Sequence, residues 1–222
     1  MNDLTIIYYT NNKLKDPFFT NIKNHLSDLV ENKIPIISVS QKTIDLGKNI
    51  CIGEIGSSIY NIYKQILIGS QKAKTEFIAC CEDDCLYNLE HFEHRPAPDT
   101  FSYNINRWWV EQCGKFRWRN RASMFACIVS RKLIIETLEE KFNMFPTDTK
   151  IKFFGEPGRF EHKLNLPHIK YERSDICKTP ILTFNHRDSL GGMRQWRKDR
   201  DKFETDLEPW GNAKELWRKM HV

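Results

Sequence analysis

The chain has no long apolar run, no linker and no strong charge imbalance, and each absence excludes something. No stretch approaches the roughly 20 apolar residues that a membrane-spanning helix needs. The opening MNDLTIIYYT has neither a basic flank nor a small-residue cleavage site, so a secretory leader is not expected and a cytoplasmic protein is. Ten glycines and nine prolines are spread over 222 residues, with no Pro/Gly/Ser-rich linker, low-complexity tract or internal repeat. One domain over residues 1–222 is therefore expected, long enough to bury a sizeable core. The seven cysteines are odd in number and scattered. Cys81 and Cys85 lie near His91 and His94, but paired C-x-x-C knuckles are missing, which argues against structural zinc. Adjacent Cys80 and Cys81 read instead as small buried hydrophobes in a reducing compartment. The formal net charge of +5 permits an anionic partner without requiring one.

What the first half does have is alternation. LTIIYYT is a near-continuous apolar run, as expected of a strand covered on both faces. Asp16 and Pro17 read as the start of a helix whose stripe is Phe19, Ile22, Leu26 and Leu29. IPIISVS gives a second strand, and Ser57 or Ser58 caps a second helix with Ile59, Ile62, Tyr63, Ile66 and Leu67 on one face. EFIACC is the third strand. This β-α-β-α-β order predicts a largely parallel sheet flanked by helices.

The third strand runs straight into Glu82, Asp83 and Asp84. In such sheets ligands bind at the carboxyl ends of the strands, where Thr10 and Asn11 also fall. Three adjacent carboxylates repel one another unless something positive sits between them, and a hard divalent cation binding phosphate oxygens would do so. The plain alternative is an acidic turn. In the second half, GKFRWRNRAS sets Lys115, Arg117, Arg119 and Arg121 at alternate positions, with Phe116 and Trp118 between. On a strand the cations would share one face, either as an anion-binding surface or as an edge guarded by charge. Later, PILTF leads into His186, beside Asp188 and a glycine pair, a better-placed candidate ligand than a lone core histidine.

Taken in order, these features resemble the GT-A fold of nucleotide-sugar glycosyltransferases. SSIYNIYKQILIGSQKAKTEFIACCEDDCLY, HFEHRPAPDTFSYNINRWW and NHRDSLGGMRQW are similar to corresponding stretches of compact bacterial and phage GT-A-like proteins. The resemblance implies a Rossmann-like α/β domain with a central, mostly parallel mixed sheet. Residues 1–90 would form the nucleotide-sugar half, and residues 91–222 the acceptor half with a C-terminal metal-ligand segment. It implies a metal-dependent enzyme using Mn²⁺ or Mg²⁺ and a UDP-sugar. Asp84 and His186 would be the metal ligands, and Thr10, Asn11, Lys64, Gln65, Glu82 and Asp83 would contact the donor. Glutamate in the first place of the acidic motif leaves the role of Glu82 open between a water-mediated ligand and a ribose contact. An inverting reaction also needs a carboxylate base; of Glu156 and Glu161 in FFGEPGRFEH, Glu156 is the choice, with a surface acid the alternative.

For the acceptor, cations interleaved with aromatics at Arg117, Trp118, Arg119, Arg121, Arg194 and Trp196 suit a nucleic-acid backbone and its bases. The favoured acceptor is accordingly a hydroxymethylated pyrimidine in DNA, flipped out of the stack, as in phages. In that case the protein would work in the bacterial host's cytoplasm. The alternatives are a small-molecule or surface-glycan acceptor, or a non-catalytic nucleic-acid-binding module on the same fold.

Overall fold

The computed structural model describes residues 2–31, 33–118, 120–147, 155–159, 169–189 and 201–222. In chain order the elements are β1 (Leu4–Thr10), α1 (Phe18–Val30), β2 (Ile36–Ser40), β3 (Lys48–Cys51), α2 (Ile59–Lys72), β4 (Phe77–Glu82), β5 (Cys85–Leu86), β6 (Thr100–Asn104), β7 (Arg107–Glu111), β8 (Lys115–Trp118), β9 (Cys127–Ser130), α3 (Arg131–Met144), β10 (Lys170–Ser174), β11 (Ile181–Asn185), β12 (Lys202–Glu204), β13 (Asp206–Leu207), β14 (Gly211–Asn212) and α4 (Ala213–Met220). A seven-stranded sheet has the order β10-β6-β9-β4-β1-β2-β3. β1 pairs in parallel with both β2 and β4, while β9 is antiparallel to both of its neighbours. The architecture is the mixed, mostly parallel α/β sheet that the alternating pattern predicts. Among the described residues, no helix is long and apolar enough to cross a membrane.

β1 reads as a solid apolar run because both of its faces are buried. Leu4, Ile6 and Tyr8 pack with Leu26 and Val30 of α1, whereas Ile7 and Tyr9 pack with Tyr63 and Ile66 of α2 and Ile134 of α3. Each large apolar side chain buried in this way contributes about 1.5–3 kcal/mol before chain entropy is counted. Gly69 lets α2 lie close on the sheet: a Cβ there would come within 2.6 Å of Ile7 Cγ2. Ser58 caps α2 by accepting from Asn61 N–H at 3.2 Å. α1 begins one residue later than the pattern suggests, with Pro17 at the N-cap without a side-chain cap and Asp16 before it accepting from Thr20 N–H at 3.2 Å.

The second half departs from a simple parallel extension. A second, five-stranded sheet, β12-β8-β7-β11-β5, packs its core residues Val110, Phe116, Leu182 and Phe184 against Phe18 and Ile22 of α1 and Leu216 and Met220 of α4. Helix α1 thus serves both sheets. β4 belongs to the first sheet and β5 to the second, so the Asp83-Asp84 turn between them sits on the seam.

Candidate active site

That seam brings the distant histidine to the acids. β11 runs antiparallel to β5 with Thr183 opposite Cys85, and Phe184 N–H donates to the Asp84 carbonyl at 2.9 Å. Two residues further on, His186 Nε2 lies 3.2 Å from Asp84 Oδ2, although the residues are 102 apart in sequence. On the other side, β1 lies in parallel register with β4, Tyr9 opposite Glu82, so Thr10 ends beside the acids. The Thr10 hydroxyl donates to Asp83 Oδ2, in a short contact. Tyr87, fully buried, accepts from Glu82 N–H at 3.0 Å and donates to the Phe125 carbonyl at 3.1 Å, tying the acidic strand end to the opposite wall.

Thr10, Glu82, Asp83, Asp84, Phe125 and His186 line one cleft of about 340 Å³. Its polar end is built by Asn11, Ser57, Asn61 and Gln65, with Asn11 Nδ2 donating to Ser57 Oγ at 3.0 Å. The loop before α2 is held by Gln41, whose Oε1 accepts from Ile55 and Gly56 N–H at 3.1 Å each. Arg107, Trp109, Arg121 and Phe125 form the far wall, and Glu156 and Arg159 approach from a separate turn. Of the expected site residues, Thr10, Asn11, Gln65, Glu82, Asp83, Asp84, Arg121, Glu156 and His186 all reach this cleft.

Others do not. Lys64 is exposed and lies outside the cleft lining, because it sits on the solvent side of α2. Gln65 reaches the cleft, but its Nε2 donates to the Thr10 and Val39 carbonyls at 2.8 Å each, knitting β1 to β2. The cationic strand face is corrected most sharply. β8 ends at Trp118, so Arg121 lies beyond it, and Arg117 is 1% exposed. Arg117 donates from Nε to Glu111 Oε1 at 2.5 Å and from Nη1 to Asp201 Oδ2 at 3.2 Å, and its guanidinium stacks 3.9 Å from the Trp109 ring. It is an internal ion-pair residue, not a backbone-binding surface. Trp118 is also outside the cleft, with its indole N–H on the Ile105 carbonyl at 3.0 Å and Lys202 over its ring. Arg119, Glu161, Arg194 and Trp196 lie outside the described residues.

Arg107 was missed in the sequence. It is 4% exposed, lines the cleft, and its Nε donates to the Arg121 carbonyl at 2.7 Å. The signal was a single arginine opening the aromatic strand RWWVE. Behind His186, Asn185 Nδ2 donates to Glu111 Oε2 at 2.7 Å, so the buried Arg117–Glu111 pair also anchors the end of β11.

The electrostatics are those of crowded negative charge. Burial, and then the charge of Asp84, push the Asp83 carboxyl up to about 7. For His186, burial opposes protonation, but the hydrogen bond and charge of Asp84 outweigh it and hold the imidazole above its ordinary range. Ligand atoms of Glu82, Asp84 and Cys85 lie within 4.8 Å of one another. Burial, then Asp84, push the Cys85 thiol well up, so it is not a thiolate. Glu82 and Asp84 therefore offer two carboxylates with ligand atoms close together, while His186 stands outside that group and meets it through Asp84, Nε2 on Oδ2 at 3.2 Å. This oxygen-rich set fits a hard divalent cation such as Mn²⁺ or Mg²⁺.

No protein-family model and no curated protein matches the chain. Among solved structures, a glycosyltransferase involved in the glycosylation of the major capsid of PBCV-1 is 10% identical with a TM-score of 0.46, over 81% of this chain and 92% of its own. S. aureus TarS 1–349 is 12% identical with a TM-score of 0.46, over 83% of this chain and 61% of its own. The same fragment in complex with UDP-GlcNAc is 17% identical with a TM-score of 0.31, over 42% and 29%. The chain thus spans less than two thirds of the TarS fragment in either form. Likeness this distant says nothing of substrate, and the functional reading rests on the cleft's own residues.

Proposed function

We propose that the chain is a nucleotide-sugar glycosyltransferase that uses a UDP-sugar and a divalent cation. The observation that carries this is the meeting, in one cleft, of Glu82, Asp84 and His186 from two different sheets with the polar ends of β1 and α2. Asp84 and His186 would hold Mn²⁺ or Mg²⁺, with Glu82 beside them. When bound, the cation supplies positive charge to the donor diphosphate. Thr10, Asn11 and Ser57 line the nucleoside end. Arg107 and Arg121 place positive charge on the wall where the diphosphate oxygen leaves with its bonding electrons. Glu156 accepts the proton of the attacking hydroxyl, with Arg159 paired to it at 3.5 Å.

The acceptor favoured by the sequence is a hydroxymethylated pyrimidine in DNA. With Arg117 buried, Arg121 is the described arginine of that set left to meet it. This loss favours the second reading, a small-molecule or surface-glycan acceptor held within the cleft. The test is hydrolysis of UDP-sugars with Mn²⁺, with and without duplex DNA containing 5-hydroxymethylcytosine. Cation-dependent hydrolysis is expected. Stimulation by the modified duplex alone would select DNA, whereas no donor turnover with any cation would end the glycosyltransferase reading.

A further inference from the structure

Glu156, its side chain 16% exposed, sits in a turn held from several elements. Residues 156–159 read Glu-Pro-Gly-Arg, with Gly158 at φ +87 and Arg159 N–H donating to the Glu156 carbonyl at 3.2 Å. Proline then a left-handed glycine is the pattern of a type II turn. Three separate elements hold that turn. From β6, the fully buried Tyr103 hydroxyl donates to the Pro157 carbonyl at 2.7 Å. From α3, the fully buried Lys141 ammonium lies 3.4 Å from the Gly155 carbonyl, close enough for a long hydrogen bond. From β10, Tyr171 crowds Gly158 so closely that a Cβ there would lie 3.1 Å from Tyr171 Cβ. The carbonyls on either side of Glu156 are thus engaged by buried donors rooted in different elements.

We propose that Tyr103 is a positioning residue for catalysis: its hydroxyl, with Lys141 opposite, fixes the Glu156 turn so that the carboxylate is presented to the attacking hydroxyl. The proposal rests on the glycosyltransferase reading and deepens it, turning Glu156 from a plausible acid into one the fold is built to aim. Accurate placement matters because a displacement of about 1 Å at a reacting group costs on the order of 100-fold in rate.

The test uses the whole chain with UDP-GlcNAc and UDP-glucose as donors, water as acceptor and Mn²⁺ present. Glu156→Gln is expected to lower kcat by about 100-fold, the scale of a lost general base. Tyr103→Phe should lower kcat about tenfold while donor KM stays within about twofold, since the nucleoside end is untouched. Combined, the two changes should cost less than about twofold beyond Glu156→Gln alone, because the proposed effect of Tyr103 on kcat runs through Glu156. Should Tyr103→Phe fail to fold, Lys141→Met tests the same claim by the same two readouts. An equal fold-loss from the positioning variant with Glu156 present or absent would overturn the proposal, as would an unchanged kcat. If the wild-type chain binds neither UDP nor its sugars, the underlying reading fails first, and that outcome is read separately.

Discussion

Two runs of like charge meet strands in this molecule, the acids at the end of β4 and the cations on β8, and they have opposite fates. Glu82, Asp83 and Asp84 close β4 at an open seam and line the cleft. Lys115 and Arg117 lie on β8, where Arg117 turns inward and is neutralised by Glu111 and Asp201. The difference is one of partners. The acids crowd one another at the cleft, where Asp83 meets the Thr10 hydroxyl and Asp84 the His186 imidazole. The arginine has two carboxylates within reach and an indole face beneath it, so burial becomes tolerable. The acidic run lines the cleft, whereas Arg117 of the basic run is used up inside the fold.

The largest expected effect lies on the basic side of that comparison. Arg117→Ala leaves Glu111 and Asp201 buried without their cation, which should cost about 3–5 kcal/mol in a denaturant melt. A loss under about 1 kcal/mol would mean that Arg117 is no internal counter-ion. Next comes the acidic side. Asp84→Asn should lower donor hydrolysis by about 100- to 1,000-fold. Rates equal to wild type would break the contrast.

A smaller effect is a pH dependence of stability in chelator. Asp83, with its ordinary value of 3.8 raised to about 7, binds a proton in the folded chain that the unfolded chain has released. Its contribution is therefore present near pH 4 and lost as pH rises towards about 7. His186, also raised, loses its contribution in the same direction as pH climbs past its ordinary 6.5. Stability followed by urea melts should fall across that window, less steeply in Asp83→Asn, and Mn²⁺ should restore it at the upper end. A flat profile in both proteins would show that the crowded charge is screened in some other way. Least of all, Lys64→Ala should change stability by under about 0.5 kcal/mol and leave donor KM unmoved, as its exposure outside the cleft requires.

The legible parts of the sequence were those governed by local rules. β1, β2 and β4 are covered on both faces and so read as apolar runs, and their ends mark the crevice that holds Thr10 and Asp84. His186 was visible because it follows the apolar strand β11, although its contact with Asp84 depends on β11 pairing with β5, a strand of two residues. β3 was not legible: it is a half-exposed edge strand, KNIC, with no apolar pattern to betray it. The burial of Arg117 was hidden because Asp201 lies 84 residues away, and no local period encodes that meeting. Gln65 shows the same limit: it faces the site, but its amide is taken by the carbonyls of Thr10 and Val39, 55 and 26 residues away.

The central claim is that Glu82, Asp84 and His186 hold a donor diphosphate through a divalent cation. Calorimetric titration of UDP into the chain, with Mn²⁺ and then with EDTA, tests it most directly. Wild type should bind UDP in Mn²⁺ and lose at least about tenfold in affinity in EDTA, while Asp84→Asn should bind weakly in both. Equal affinity with and without the cation, retained in Asp84→Asn, would contradict the claim.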